Sequence, residues 1–222
     1  MNRSSVRLQG VPVTLFAWKA LFFDEKKWLI VADPHFGKAE IFRRKGLPVP
    51  AGSTESDLAR LSRLLDITEA KGLAILGDLI HAAPEPGSGT IASLKSWRQK
   101  HPKLQLLIVP GNHDRQAEHA FEAMGVSRLS DGLETDRFIL SHKPPECSGD
   151  SRPKYVLAGH VHPALRVPGL KTRGAAFPCF YFGKRYGLLP AFGSFTGSST
   201  VSPSNGEFAF ICSKDEIYPL AF

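Results

Sequence analysis

Five apolar runs in this chain stop abruptly in Gly, Asp, Asn or His, and that repeated ending restricts the fold more than any other feature. W-L-I-V-A runs into Asp33, L-A-I-L into Gly77-Asp78, and L-Q-L-L-I-V-P into Gly111-Asn112-His113-Asp114. F-I-L-S runs into His142, and Y-V-L-A into Gly159-His160. Short, continuous apolar runs of this kind read as strands buried on both faces. Helical periodicity lies between the first of them: Ser53 to Ala70 carries Leu58, Leu61, Leu64, Leu65 and Ile67 at spacings that suit one apolar face. Thr90–Lys100 and Arg115–Met124 are weaker helical segments. After His162 the chain turns to strands separated by Gly and Pro, at Ala164–Val167, Cys179–Phe182, Tyr186–Leu189 and Phe208–Cys212. The expectation is an α/β chain in which strand and helix alternate first and strands dominate later.

No linker or repeat divides the 222 residues, so one domain over residues 1–222 is expected. Ala82–Gly89 and the S-S-T-V-S-P-S-N-G stretch from Ser198 read as loops. Membrane insertion is not expected, because no apolar stretch approaches the ~18 residues a span needs. Lys19, Asp24 and Lys26 interrupt the N-terminal apolar segment, which argues against a signal peptide. Cys147, Cys179 and Cys212 stand at unrelated spacings and outside any CxxC pattern, which reads as reduced thiols in a cytoplasmic protein. The formal net charge of +7 suits a polyanionic partner such as nucleic acid.

The strand-end residues are of metal-binding type: Asp33, His35, Asp78, Asn112, His113, His142, His160 and His162. Five of the chain's eight histidines are among them, and His81 follows close behind one such strand. In open α/β sheets, sites are built at the carboxyl ends of strands. Imidazole, carboxylate and amide oxygen without thiolate suit Mn, Fe, Zn or Co. The number of donors exceeds what one tetrahedral ion uses, and points to two divalent metal ions sharing a carboxylate. If His160 and His162 lie on an extended segment, they project to one side roughly 6.5–7 Å apart. Two ions about 3.5–4 Å apart could then each take one of them. By the same geometry Asp33 and His35 could share an ion, Gly159 would let the backbone pass close to the centre, and Pro163 would end the ladder. Two dications against two carboxylates leave a positive surplus, which attracts a phosphate ester and lowers the pKa of bound water.

The motifs D-P-H (Asp33–His35), G-D-L-I-H (Gly77–His81), G-N-H-D (Gly111–Asp114), His142 and G-H-V-H (Gly159–His162) resemble, in type and order, those of the calcineurin-like metallophosphoesterase family. The resemblance implies a four-layer αββα sandwich of two packed mixed β-sheets. It also implies that Asp33, His35, Asp78 and His162 hold one metal, and that a bridging Asp78, Asn112, His142 and His160 hold the other. His113 would protonate the leaving oxygen, Asp114 would orient His113, and His81 would line the phosphate site. V-P-V-T-L, G-L-P-V-P-A-G and L-P-A-F-G-S-F-T-G further resemble the ligase-associated DNA damage response endonucleases of the PdeM type. That resemblance implies manganese, a DNA or nucleotide phosphodiester substrate, a role in DNA repair, and association with an ATP-dependent DNA ligase, an exonuclease and a helicase. A homodimer is compatible with it. Pro34 and Lys143 depart from the pattern, and Lys143 bears on substrate charge preference.

Blander roles compete with each of these. His101 and His119 read as surface residues, and Arg43-Arg44-Lys45 as a solvated helix face or a grip on a nucleic-acid backbone. Lys38, Arg115, Lys143, Arg152 and Arg166 lie nearer the motifs and are better placed for phosphates. Phe177, Phe180, Phe182, Phe192 and Phe195 suit a sheet core better than base stacking. Two rival functions remain: a small-molecule phosphoesterase acting on nucleotides or monoesters, and a catalytically silent scaffold for repair partners.

Overall fold

The computed structural model describes residues 2–82, 85, 87–126, 132–146, 154–167 and 175–222. Cys147 and Arg152 lie outside them. A first sheet runs in the order β1 (Arg3–Leu8), β2 (Val11–Phe16), β3 (Ala20–Phe23), β4 (Trp28–Ala32), β5 (Gly72–Leu76) and β6 (Gln105–Val109). Its first four strands pair antiparallel, and β4, β5 and β6 are parallel. Between and after the parallel strands come α1 (Lys38–Arg44), α2 (Ser53–Thr68), α3 (Gly89–Lys100) and α4 (Glu118–Met124). A 3-10 turn over Asn112–Gln116 leads into α4.

The second sheet holds β7 (Gly132–Glu134), β8 (Phe138–Ser141), β9 (Tyr155–Ala158), β10 (Pro163–Arg166), β11 (Ala176–Phe182), β12 (Tyr186–Leu188), β13 (Ser199–Thr200), β14 (Phe208–Ser213) and β15 (Glu216–Ala221). Its order is β13-β10-β11-β12-β9-β8-β7, with β14 on β11 and β15 on β14. Here β8, β9 and β12 pair parallel, as do β10 and β13.

Strand periodicity explains why the apolar runs are continuous. On β4, Leu29 and Val31 face the helices, while Ile30 and Ala32 face the second sheet. On β5, Leu73 and Ile75 face one way, and Ala74 and Leu76 the other. Both faces are dry, so neither can alternate with polar residues. Leu58, Leu61, Leu64 and Leu65 of α2 join Leu94 and Trp97 of α3 and Phe121 of α4 on the outer face of the first sheet. Between the sheets, Leu140, Leu157, Phe180, Phe182 and Phe210 meet Ile30, Leu76 and Val109. The outer face of the second sheet carries two smaller apolar clusters, around Val156 and Cys179. The α/β sandwich of two packed mixed sheets is the one expected.

Several local expectations are corrected. Pro163 does not end a ladder; it opens β10, which pairs with β11 and β13. Part of the Ser198 loop is itself strand, as Ser199 and Thr200 pair with β10. The antiparallel strands β1–β3 carry no pattern that had marked them, and the short helix α1 was marked only by the basic run Arg43-Arg44-Lys45 at its end. His101 is half-buried rather than a free surface residue, with its ring against Trp97 and its Nε2 2.9 Å from Ser62 Oγ. His119 is exposed as expected, beside Glu122. Phe180, Phe182 and Phe192 are core, whereas Phe195 is 38% exposed and lies edge-on to Phe42.

Candidate metal centre

Six parallel strands, three from each sheet, end on the same side of the molecule as the polar motifs. Asp33 and His35 follow β4, Asp78 follows β5, and Asn112 and His113 follow β6. His142 follows β8, His160 and His162 follow β9, and the segment after β12 runs past the same place through Gly197. Five of these residues leave their strands in the left-handed region: φ is 48° at Asp33, 47° at His35, 43° at Asp78, 66° at His160 and 51° at His162. For residues other than glycine this costs on the order of 1 kcal/mol each, and it persists only where the surroundings enforce it. The extended i, i+2 geometry expected for His160 and His162 is therefore not what separates them; a left-handed turn at each does.

Glycines make room for the donors. A β-carbon at Gly77 would stand 1.8 Å from His142 Nδ1, and one at Gly159 would stand 2.4 Å from Asp33 Oδ2. Any side chain there would displace the donor it touches, so the close pass expected at Gly159 is present.

Three groups of possible donors have their donor atoms within 4.8 Å of one another: Asp33, His35 and His162; Asp78, His142 and His160; and His35, His81 and His113, which shares His35 with the first and holds no carboxylate. His160 and His162 belong to different groups. His35 Nε2 faces His162 Nε2 at 3.3 Å, and His160 Nδ1 faces His142 Nε2 at 3.0 Å. Asp78 Oδ2 lies between the first two groups, 3.6 Å from His35 Nε2 and 3.8 Å from His142 Nε2. His162 Nδ1 donates to the Gly197 carbonyl at 3.1 Å, which leaves its Nε2 lone pair directed at the group. Asp33 Oδ2 accepts from the His160 amide at 2.6 Å, which ties the two groups together. Facing imidazole nitrogens around buried carboxylates suit divalent cations of the borderline class, so the residues present fit metal ions. Asn112 is exposed and lines the cleft beside the second group.

The charges within the cluster are mutually adjusted. Burial pushes the Asp33 carboxyl above its ordinary range, against the pull of His142 and His162. Burial, with His162 and His113 nearby, lowers His35 to about 2, and burial also lowers His160. Burial works against the charged form of His142, yet its contacts with Asp33 and Asp78 leave it raised.

An open cleft of about 350 Å³ lies over the cluster, lined by His35, Asp78, Asn112, His160 and His162 together with Lys38, His81, His113, Val161 and Gly197–Ser199. His113 is exposed in it, and its Nδ1 donates to the His81 carbonyl at 2.6 Å. The His81 ring stacks on the His113 ring at 4.9 Å between centroids. Burial, with Lys38 and His113 nearby, lowers His81 to about 4, so its imidazole is neutral around pH 7. Asp114 does not orient the His113 ring as expected. It is fully buried, and its carboxylate accepts from the backbone amides of Leu79, Ile80 and Gly111, joining the Asp78 turn to the Asn112 turn. The ring-orienting contact comes from the His81 carbonyl instead, a backbone group that residue types cannot signal.

Of the cations, Lys38 lines the cleft. Arg44 is taken up by Glu40 and Glu85, which removes it from the basic run as a free phosphate contact. Arg43 donates to the Pro50 carbonyl. Lys143 is exposed and close enough to His160 to disfavour its charged form. Gly197 ends the L-P-A-F-G-S-F-T-G stretch and lines the cleft, whereas Ser198 and Ser199 fall in the stretch read as a loop and had no signal of a place at the site.

No protein-family model matches the chain, and neither does any curated protein sequence. Among solved structures, the chain is similar to the crystal structure of the Pseudomonas putida nuclease MPE. The identity is 32%, the TM-score 0.83, and the match covers 99% of this chain and 100% of that one. It also aligns with YfcE, a phosphoesterase from E. coli, over 87% of this chain and 98% of that one, but at 13% identity and a TM-score of 0.49 this carries no argument. Likeness at that identity over the full length of both chains defines the class. This chain belongs to the calcineurin-like metallophosphoesterase family, and it is a phosphoric ester hydrolase.

Proposed function

We propose that the protein is a dinuclear metal-dependent phosphodiesterase that cleaves DNA or nucleotide diesters, acting as one catalytic domain. The observation that carries this reading is the pair of carboxylate-bearing donor groups around Asp78, with His160 in one and His162 in the other. Asp33, His35 and His162 with Asp78 would hold one ion, and Asp78, Asn112, His142 and His160 the second. Divalent ions bound there supply Lewis acidity and a water of lowered pKa, and manganese suits this donor set.

The remaining work belongs to the chain. Lys38 and the neutral His81 flank the cleft in which a phosphate would sit. His113 keeps its Nδ1 proton in a hydrogen bond to the His81 carbonyl, so the imidazolium form would deliver its Nε2 proton to the departing oxygen and be left as the neutral ring. Asp114 holds the two turns together from beneath. The nuclease similar along its whole length supports a nucleic-acid substrate, and the net charge of +7 agrees with one. The resemblance of the motifs to ligase-associated endonucleases extends the reading to DNA repair in the cytoplasm, with a DNA ligase, an exonuclease and a helicase as partners.

The test is a substrate panel under manganese: a chromogenic phosphodiester, the matching monoester and single-stranded DNA. Turnover of the diester and of DNA above the monoester is expected. A monoester preference would favour the small-molecule phosphoesterase, and no turnover with no metal bound would favour the scaffold.

A further inference from the structure

Three charged side chains outside the metal centre converge on one stretch of backbone, and the chemistry above uses none of them. Asp57 and Arg60 sit one turn apart on α2 and pair at 2.9 Å. Asp57 Oδ2 accepts from the Ser194 amide at 2.9 Å and from the Ser194 hydroxyl at 3.2 Å. Arg60 donates to the Phe192 carbonyl, and its guanidinium lies 4.3 Å from the centroid of the Phe192 ring. From the turn between β2 and β3, Lys19 donates to the carbonyls of Ala191 at 2.8 Å and Gly193 at 3.3 Å. Asp57 is buried and Arg60 and Lys19 are half-buried, and withdrawing ionic groups from water in this way carries a desolvation cost.

What they fix leans on one half of the metal centre. The Phe192 amide donates to the Ala32 carbonyl at 2.7 Å, and the Gly193 amide to the Asp33 carbonyl at 3.4 Å. Gly193 packs so closely on the Pro34 carbonyl that a β-carbon would stand 2.3 Å from it. The segment thus lies against the turn that holds Asp33 and His35 in the left-handed region. A few residues on, Gly197 supplies the carbonyl that orients His162. All three residues of the Asp33–His35–His162 group therefore rest on residues 191–197. The other group has supports of its own, since Asp78 accepts from the His113 amide and His142 packs against Gly77, and it meets the first group at Asp33, whose carboxylate accepts from the His160 amide and lies 3.4 Å from His142 Nδ1.

We propose that Lys19, Asp57 and Arg60 are positioning residues for one metal ion of the pair, the one held by Asp33, His35 and His162. They act through the backbone of residues 191–197 and reach the other ion's ligands only through the Asp33 carboxylate. This rests on the dinuclear reading above. Groups that support ligands in this indirect way change metal affinity by about 10–100-fold when removed.

The test is manganese titration by calorimetry, with the electron paramagnetic resonance signal of a coupled Mn pair as a second readout, on wild type, Arg60→Gln, Arg60→Lys and Ser194→Ala. The mild Ser194→Ala removes one hydroxyl donor and guards against a variant that does not fold. Wild type is expected to bind two ions. Arg60→Gln is expected to weaken one of them about 10–100-fold and to lose the coupled signal at manganese levels that still fill the other site. Arg60→Lys should recover part of that affinity, and Ser194→Ala should shift the same ion by less. Equal weakening of both ions, or unchanged affinities in a folded Arg60→Gln, would overturn the proposal. A wild type that binds fewer than two ions would instead overturn the dinuclear reading on which it rests.

Discussion

His160 and His162 illustrate what a residue contributes here: each turns the backbone left-handed on leaving β9, and each thereby sends its ring to a different donor group. The glycines pressed against His142 and Asp33 do the complementary work by having no side chain. His113 is exposed in the cleft, with its Nδ1 on the His81 carbonyl and its ring edge-on to that of His35, but it belongs to neither of the two groups proposed to hold the ions. His113→Ala should therefore keep its metal, by elemental analysis, while losing roughly 10²–10⁴-fold in diester turnover. Metal loss in that variant would contradict the division of roles. Residue types and their order made the donors legible in the sequence, since Asp, Asn and His at strand ends carry their own chemistry. The left-handed turns, and the assignment of Asp114 to backbone amides rather than to the His113 ring, depend on conformation and left no mark in residue type.

At the scale of elements, the runs of β4, β5 and β9 were readable because both of their faces are dry, which forces continuous apolar sequence, and β6 and β8 share the pattern toward their buried ends. The strands β1–β3 and the segment after β12 were not, because they lack such a run ending in a donor. The 191–197 segment is nonetheless where buried charge meets the metal centre. Burial, with Arg60 close by, lowers the Lys19 amine from 10.5 to about 8. Between those two values the unfolded chain binds more protons than the folded one, so the contribution of Lys19 to stability rises with pH. Below about pH 8 the amine is charged in both states and the full burial cost is present. The unfolding free energy of wild type relative to Lys19→Met should accordingly climb from about pH 8 to 10.5, by at most about 1.4 kcal/mol per pH unit. Denaturant titrations of both proteins across that range check it; a flat or falling difference would show that the amine is not buried in this way.

On the scale of the whole molecule, two sheets each deliver three parallel strand ends to one side, and the donors of both metal groups come from both sheets. Asp33 and His35 come from the first sheet and His162 from the second; Asp78 comes from the first and His142 and His160 from the second. Metal should therefore clamp the sandwich at that end. Chelation should lower the melting temperature, and restoring manganese to about 100 times its dissociation constant should return about 2.7 kcal/mol per independent site. For a chain of this size that is roughly 5–10 °C. An unchanged melting temperature would mean that no ion joins the sheets. The central claim is that two ions are held here and that His160 and His162 serve different ones. Anomalous diffraction from crystals grown with manganese tests it most directly. The account predicts two peaks about 3.5–4 Å apart, bridged by Asp78, one bonded to His162 and the other to His160. A single peak, or both histidines on one ion, would contradict it.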